Sequence, residues 1–469
     1  MNIKHVDLEI NKDEPFANCK LERKKYADIL TSIVDAYPEG FVLALNNEWG
    51  TGKTTFVKMW NQSLKNAGYS TVYFNAWEND FNSNPLIAIV SELKTLTNSS
   101  NEKIFKSVLQ KGAVLSKNIL PALIKAIAEK YIDTGILTDT IENITKGTTE
   151  ILEDEVKKYA DKKESVKEFR FELELFVKKT SNSKLIVFII DELDRCRPNY
   201  AVEVLEQMKH FFSVPGIVFV LSIDKIQLGH AVKGVYGNDN INSNEYLRRF
   251  IDLEYSLPTP SDKVFCNYLY DYYSFDKFFD TKERNQHREL NGDKSDFLKM
   301  ATAIFSKDNN TLRQQEKLFA QTRLVISSFQ SNSFIFPELL FLLIYIKMMF
   351  PELYSKIEKK GLSLQELSDE FFEIVSNQIQ IKYNLNLLYI EAQLLDFYNN
   401  QHDYSSREKI LDTDEKGKPI SPIKSKLEIS DGATLASCIE HISRSFHYRD
   451  LSLKYLLDRI NMTEAFVSL

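Results

Sequence analysis

The stretch Phe41 to Trp60, FVLALNNEWGTGKTTFVKMW, decides how this chain is read. Phe41 to Leu45 is an apolar run of strand length, Glu48-Trp49-Gly50-Thr51-Gly52 is turn-forming, and Phe56, Val57 and Trp60 return at helical spacing. Strand, glycine loop and helix together form a phosphate cradle. Successive loop N–H groups and the helix N-terminus supply partial positive charge at one place, and Lys53 adds a mobile full charge for the β and γ phosphates. Thr54 offers its hydroxyl to Mg²⁺. The expected nucleotide-binding set is Glu48, Trp49, Gly50, Thr51, Gly52, Lys53, Thr54 and Thr55. Asn47 stands where the G-x-x-x-x-G-K-[ST] pattern has its first glycine; asparagine tolerates positive φ better than other side chains, so the turn is still expected to form. A GKT tripeptide also occurs in ordinary strand-to-helix turns, so its surroundings must decide.

Working outward, Leu21 to Val34 reads as a helix with Leu21, Tyr26, Ile29, Leu30 and Ile33 on one face, stopped by Pro38 and Gly40. Downstream, the helix after the loop runs to about Ala67, with Gly68 at the C-cap, and TVYFNAW (Thr71 to Trp77) reads as a second buried strand. That is a βαβ unit. Residues 81–183 then interrupt the alternation. Val166, Phe169, Leu173 and Phe176 recur there among Lys and Glu at helical spacing, which predicts a helical insertion with one buried stripe and a solvated charged face.

The α/β pattern returns at LIVFII (Leu185 to Ile190), followed at once by Asp191-Glu192-Leu193-Asp194-Arg195. An unbroken apolar run suits a central parallel strand covered on both faces, and acids beyond its carboxyl end lie where such sheets bind ligands. Asp191 there can hold Mg²⁺ through water, and Glu192 can accept a proton from water attacking the γ-phosphate. A helix over Tyr200 to Phe212 leads to another buried strand, Ile217 to Ile223, tipped by Asp224. Two readings of Asp224 stand side by side: a γ-phosphate sensor, or the N-cap of the helix starting at Lys225. Leu257-Pro258 marks a boundary.

These blocks resemble the KAP family of P-loop NTPases, a branch of the additional-strand class related to AAA+ and STAND proteins. The resemblance rests on NEWGTGKTTF, FNAW, VFIIDELDRCRP, VFVLSID and EYLRRFIDLEYSLP in that order, with TLRQQEK (Thr311 to Lys317) and PELLFLLIYIKMMFPELY (Pro337 to Tyr354) similar to the helical region that follows the core. It implies an α/β fold: a P-loop NTPase with a parallel sheet core, a helical insertion and a helical C-terminal region. It implies ATP and Mg²⁺ as cofactors, Lys53 and Thr54 on phosphate and metal, Asp191 as the acidic metal residue, Glu192 as base and Asp224 as sensor. Arg313 is similar to an arginine that reaches back to nucleotide, its other reading being a surface arginine, and Arg249 lies near a usually basic position. Many relatives carry paired membrane helices after FNAW; residues 81–183 here show none.

The expected organisation is an NTPase core over residues 1–258, with its insertion at 81–183, a helical subdomain over 259–355, and a helical region over 356–469 containing a polar loop at 401–428. With 469 residues, 43% hydrophobic and 27% charged, wholesale disorder is excluded. The net charge of −7 argues against a broad basic face for DNA or RNA. Four cysteines without ligand spacing favour reduced thiols, and with no signal peptide the expected location is cytoplasmic. Gly112 to Ala128 and Leu339 to Ile346 fall short of the roughly 20 apolar residues of a membrane span, so both are expected to be core helices, with an amphipathic membrane-surface helix as the alternative for the first. Tyr and Phe at helical spacing are read as core rather than as base-stacking platforms, among them Tyr455 and Phe466 with Leu456 and Ile460.

Two functions fit. One is an Mg-dependent ATPase switch that self-associates, with Arg248 or Arg249 completing a neighbour's site, and recruits a protein partner; the family resemblance suggests bacterial anti-phage defence. The other is a nucleotide-binding scaffold that hydrolyses little, for which the Asn47 departure speaks.

Overall fold

The computed structural model describes residues 9–81, 84–116, 150–180, 184–237, 241–306, 310–378, 384–428, 432–444 and 451–462. The chain divides into two compact units, Lys4–Thr259 and Pro260–Leu469.

In the first unit, five strands form one parallel sheet in the order β2-β3-β4-β1-β5. They are β1 (Val42–Asn46), β2 (Ser70–Asn75), β3 (Ile186–Asp191), β4 (Ile217–Ile223) and β5 (Leu253–Tyr255). Every residue of β3 and β4 is buried, as their unbroken apolar runs require of strands covered on both faces. Alternation assigns the faces. Leu43, Leu45, Val187, Ile189, Val218 and Val220 pack with α1 (Lys24–Ala36) and α2 (Lys53–Asn66), while Phe188, Ile190, Phe219 and Leu221 pack on the other side. On α1 the buried stripe is Ala27, Leu30 and Val34; Ile29, expected on the inner face, is 47% exposed, because the helix phase is set by Leu30 and Val34.

The insertion is part of the core. Its helices α3 (Pro85–Glu92), α4 (Glu102–Ser116) and the helix Glu150–Thr180 cover the second face of the sheet. Phe169, Leu173 and Phe176 are buried on the predicted stripe, with Phe105 and Phe176 ring centroids 5.7 Å apart. Residues 117–128 of the candidate amphipathic segment, and Phe466, lie outside the described residues.

The second unit is helical. Its central helix, Pro337–Met349, buries every side chain from Leu339 to Ile346, so the apolar octet is core. Around it Phe275, Phe297, Phe319 and Phe341 interlock, with Phe275–Phe297 centroids at 4.9 Å and Phe297–Phe341 at 5.3 Å. Leu456 and Ile460 are buried as expected, and Tyr455 is half-buried, its hydroxyl donating to the Phe334 carbonyl at 3.2 Å. The polar tract 401–428 contains a two-stranded antiparallel ladder, Asp412–Thr413 against Pro419–Ile420, and buries Ile423 and Leu427. Among the described residues no helix is long and apolar enough to cross a membrane.

Candidate functional site

Strand order brings the site together. Asn46 is level with Ile223, Asp191 with Ser222, and Asn75 with Asp191, so β1, β4, β3 and β2 end side by side. Only β4 separates β1 from β3, which leaves a gap of about 10 Å between the glycine loop and the acidic turn.

The loop owes its shape to two glycines. Gly50 (φ 82°) and Gly52 (φ 77°) are left-handed, and a Cβ at Gly52 would lie 3.0 Å from Arg23 Nη1. Among the described residues, no backbone N–H from Gly50 to Thr55 donates within the protein. Six amides around the start of α2 thus remain available to an anion. Lys53 is buried, and its ammonium donates to the Asn47 carbonyl and, at 3.1 Å, to that of Glu48. Burial lowers its pKa, opposed by the charges of Asp194, Asp224 and Asp191. Thr51 Oγ1 donates to the Glu48 carbonyl at 2.9 Å, and Thr54 and Thr55 stand half-buried in the first turn of α2.

Asn47 corrects the sequence argument. Its φ is not positive, so no left-handed turn explains it. Its carboxamide donates to the Leu257 carbonyl at 2.9 Å and accepts from the Leu257 N–H at 2.8 Å. The side chain therefore extends the β1–β5 ladder by one rung, which glycine cannot do.

At the acidic turn, Asp191 is 1% exposed; it accepts from the Tyr73 hydroxyl at 2.8 Å and from the Glu192 N–H at 3.0 Å. Burial and Asp191 push the Tyr73 phenol up, which keeps it a donor. Glu192 has φ 61°, a strained conformation for a side-chain residue. Its carboxylate forms an ion pair with Arg195, Nη1 to oxygen 2.7 Å, and accepts from Asn75 Nδ2 at 3.2 Å. Burial pushes its pKa up, and Arg195 is the main influence against that. Burial likewise raises Asp194, which accepts from Trp49 Nε1 and so ties the loop to the acidic turn.

Asp224 accepts from the N–H groups of Ile226 (3.0 Å) and Gln227 (3.2 Å), so it caps the following helix; both bonds use Oδ1, and its charge still acts on Lys53. Arg249 is exposed beside Phe41, Val42 and Ile217, at the amino ends of the strands and thus at the opposite end of the sheet from Asp191. Arg248, also exposed, pairs with Glu245. Arg313 is an exposed residue of the second unit, in the first turn of the helix Leu312–Ile326.

Sequence reading missed Arg23 and Asn75. Arg23, 4% exposed at the start of α1, donates to the Gly52 carbonyl at 3.0 Å and the Thr51 carbonyl at 2.7 Å. It braces the loop from outside. Asn75 was legible only as a residue of the FNAW strand, although a polar side chain ending a buried strand level with Asp191 was a usable signal.

Among the described residues no cluster of three or more His, Cys, Asp or Glu could hold a metal ion unaided. One threonine hydroxyl and one carboxylate on facing sides of the gap match Mg²⁺, which takes few protein ligands and the rest from phosphate and water.

A family model, the KAP family P-loop domain, matches residues 23–329. No curated protein matches the chain. Among solved structures, the chain is similar to the Aeropyrum pernix ORC2 protein in ADPNP-ADP complexes, at 13% identity and TM-score 0.33, over 90% of this chain and 94% of that one. It is also similar to a DNA replication initiation factor (10% identity, TM-score 0.27, 94% of each chain) and to Drosophila ORC bound to DNA (11%, 0.26, 97% of each). With the model spanning more than half of its length, and with a parallel sheet, glycine loop and acidic strand in the matching order, the chain belongs to the KAP family of P-loop NTPases.

Proposed function

We propose that the chain binds ATP with Mg²⁺ in the gap between the glycine loop and the acidic turn, hydrolyses it, and uses the nucleotide state to control assembly with a partner or with copies of itself. The observation that carries this reading is the level ending of β1, β4 and β3, with the left-handed glycines of the loop and the start of α2 on one side of β4 and a buried acid pair on the other. In this reading Gly50 to Thr55 bind phosphate oxygens, Lys53 leaves the Asn47 and Glu48 carbonyls for the β and γ phosphates, and Thr54 and Asp191 hold the metal. Mg²⁺ would neutralise developing phosphate charge. Glu192 takes the proton of the attacking water. Asp224 orients Lys53 by its charge, and Arg249, far from its own site, serves a neighbouring copy. A role in anti-phage defence rests on family resemblance alone, and loss of plating protection in a Lys53→Ala strain would support it.

The first test is phosphate release from ATP across a range of protein concentrations, beside Lys53→Ala and Glu192→Gln. Turnover lost in both variants, and rising more steeply than linearly with concentration, is expected of a self-associating ATPase. Nucleotide binding with turnover no faster than that of Glu192→Gln would replace this reading with a slowly hydrolysing scaffold. One feature favours the scaffold: Glu192 is already held by Arg195 and Asn75. Asn47 no longer does, because its side chain has a structural task.

A further inference from the structure

The residues that hold Glu192 form a closed circuit. Arg195 ends the short turn Leu193–Arg195, pairs with Glu192 as an ion pair at 2.7 Å, and lays its guanidinium over the Trp77 ring at 5.6 Å from the centroid. The N–H groups of Trp77 and Glu78 donate to Asn75 Oδ1 at 3.1 and 3.2 Å, and Asn75 Nδ2 returns to Glu192. The turn after β2 and the turn after β3 are thus joined twice, once by an amide and once by a cation resting on an indole. Further along, Asp80 accepts from the Arg197 N–H at 2.7 Å and from its Nε at 2.8 Å, just before α3 begins the insertion.

The direction of the hold matters more than the number of bonds. A carboxylate has about four acceptor positions, so two donors do not saturate it. Asn75, however, ends β2 and Trp77 follows it, and β2 lies on the far side of β3 from β4 and β1. The Glu192 carboxylate is drawn toward β2 and away from the gap above β4, whereas a general base must stand within hydrogen-bond reach of the attacking water.

We infer that Arg195, braced on Trp77, is a positioning residue that holds the Glu192 carboxylate on the β2 side, so that turnover waits on the opening of this ion pair. The inference rests on the reading of Glu192 as the base. Trp77 lies on the segment that leads into the insertion helices, so movement of that turn is the physical route by which the insertion would release the pair.

Steady-state ATP hydrolysis, with affinity for a non-hydrolysable ATP analogue measured in parallel, tests it. Arg195→Ala is expected to raise kcat about fivefold, the scale of a partly exposed ion pair, with KM and analogue affinity unmoved. Arg195→Lys should restore most of the restraint, and Arg195→Ala with Glu192→Gln should show no gain. Trp77 is 53% exposed, so Trp77→Ala spares the core and should give a smaller rise of the same kind even if Arg195→Ala folds poorly. A fall in kcat in Arg195→Ala, or no change in either single variant while turnover stays Glu192-dependent, overturns the inference and leaves the ATPase reading standing. Nucleotide binding without Glu192-dependent turnover in any variant removes the ATPase reading, and this inference falls with it.

Discussion

The two units bury carboxylates on opposite terms. In the first, Asp191, Glu192 and Asp194 are gathered at the ends of the strands, each with a donor of its own: Tyr73, Arg195 with Asn75, and Trp49. In the second they are scattered through the helices. Glu391, 1% exposed, accepts from the hydroxyls of Ser368 and Ser425, both at 2.6 Å, and burial pushes it up to about 7. Burial takes Glu338 to about 7 and Asp396 to about 6, and Asp293 also reaches about 6 although it is paired with Arg284. The same residue type is gathered as a charged cluster in one unit and, with its pKa raised by burial, is packed among helices in the other. Concentrating charge at one place costs stability and suits chemistry; burying single carboxyls among helices favours their protonated form and makes stability depend on pH.

The sharpest way to break this contrast is Lys53→Ala. Loss of the loop's full charge should lower ATP affinity by about tenfold or more in a titration, while the melting of the helical unit stays put. The complementary change is Arg284→Ala. Arg284, 1% exposed, donates to the Ser331 and Ser333 carbonyls at 2.9 and 3.0 Å and pairs with Asp293, so its removal should cost the helical unit about 3–5 kcal/mol in denaturant unfolding and spare ATP affinity. Comparable losses in both properties from either variant would dissolve the distinction.

A pH titration sharpens it. Glu391 has a folded pKa of about 7 against an unfolded value of 4.5, so the fold favours its protonated form. That contribution is fully present below pH 4.5 and is lost as pH rises through 7, with nearby Glu428 and Asp369 adding to the repulsion; the span amounts to about 3 kcal/mol. Melting followed from pH 5 to pH 8 should show the helical unit weakening, and Glu391→Gln should flatten the curve. An unchanged slope in that variant would assign the loss elsewhere. The smallest effect expected is that of Asn47→Ala, which removes two ladder bonds. It should cost the first unit about 1–2 kcal/mol with little change in ATP affinity; a large affinity loss would return Asn47 to the nucleotide.

Much of this was legible one residue at a time. The boundaries of β4 were read from Ile217 to Ile223 unaltered, because a strand buried on both faces writes its whole length in apolar residues. The stripe of Phe169, Leu173 and Phe176 was read for the same reason, since helical period and burial are local matters. The glycine loop and the acidic strand end were legible as marks of a P-loop domain. What the sequence by itself determined is therefore the four long strands of the sheet and most of the helices, but not the short strand Leu253–Tyr255 or the ladder of Asp412–Thr413 with Pro419–Ile420.

Tertiary structure alone decided who meets whom. Arg23 and Gly52 are 29 positions apart, Asn75 and Glu192 117, and Asn47 and Leu257 210. Periodicity reports that a side chain is buried on a face but not what it faces, because partners follow from strand order. Here β4 enters between β1 and β3, setting the glycine loop and the acidic turn apart, while β2 on the far side of β3 places Asn75 and Trp77 beside the acidic turn.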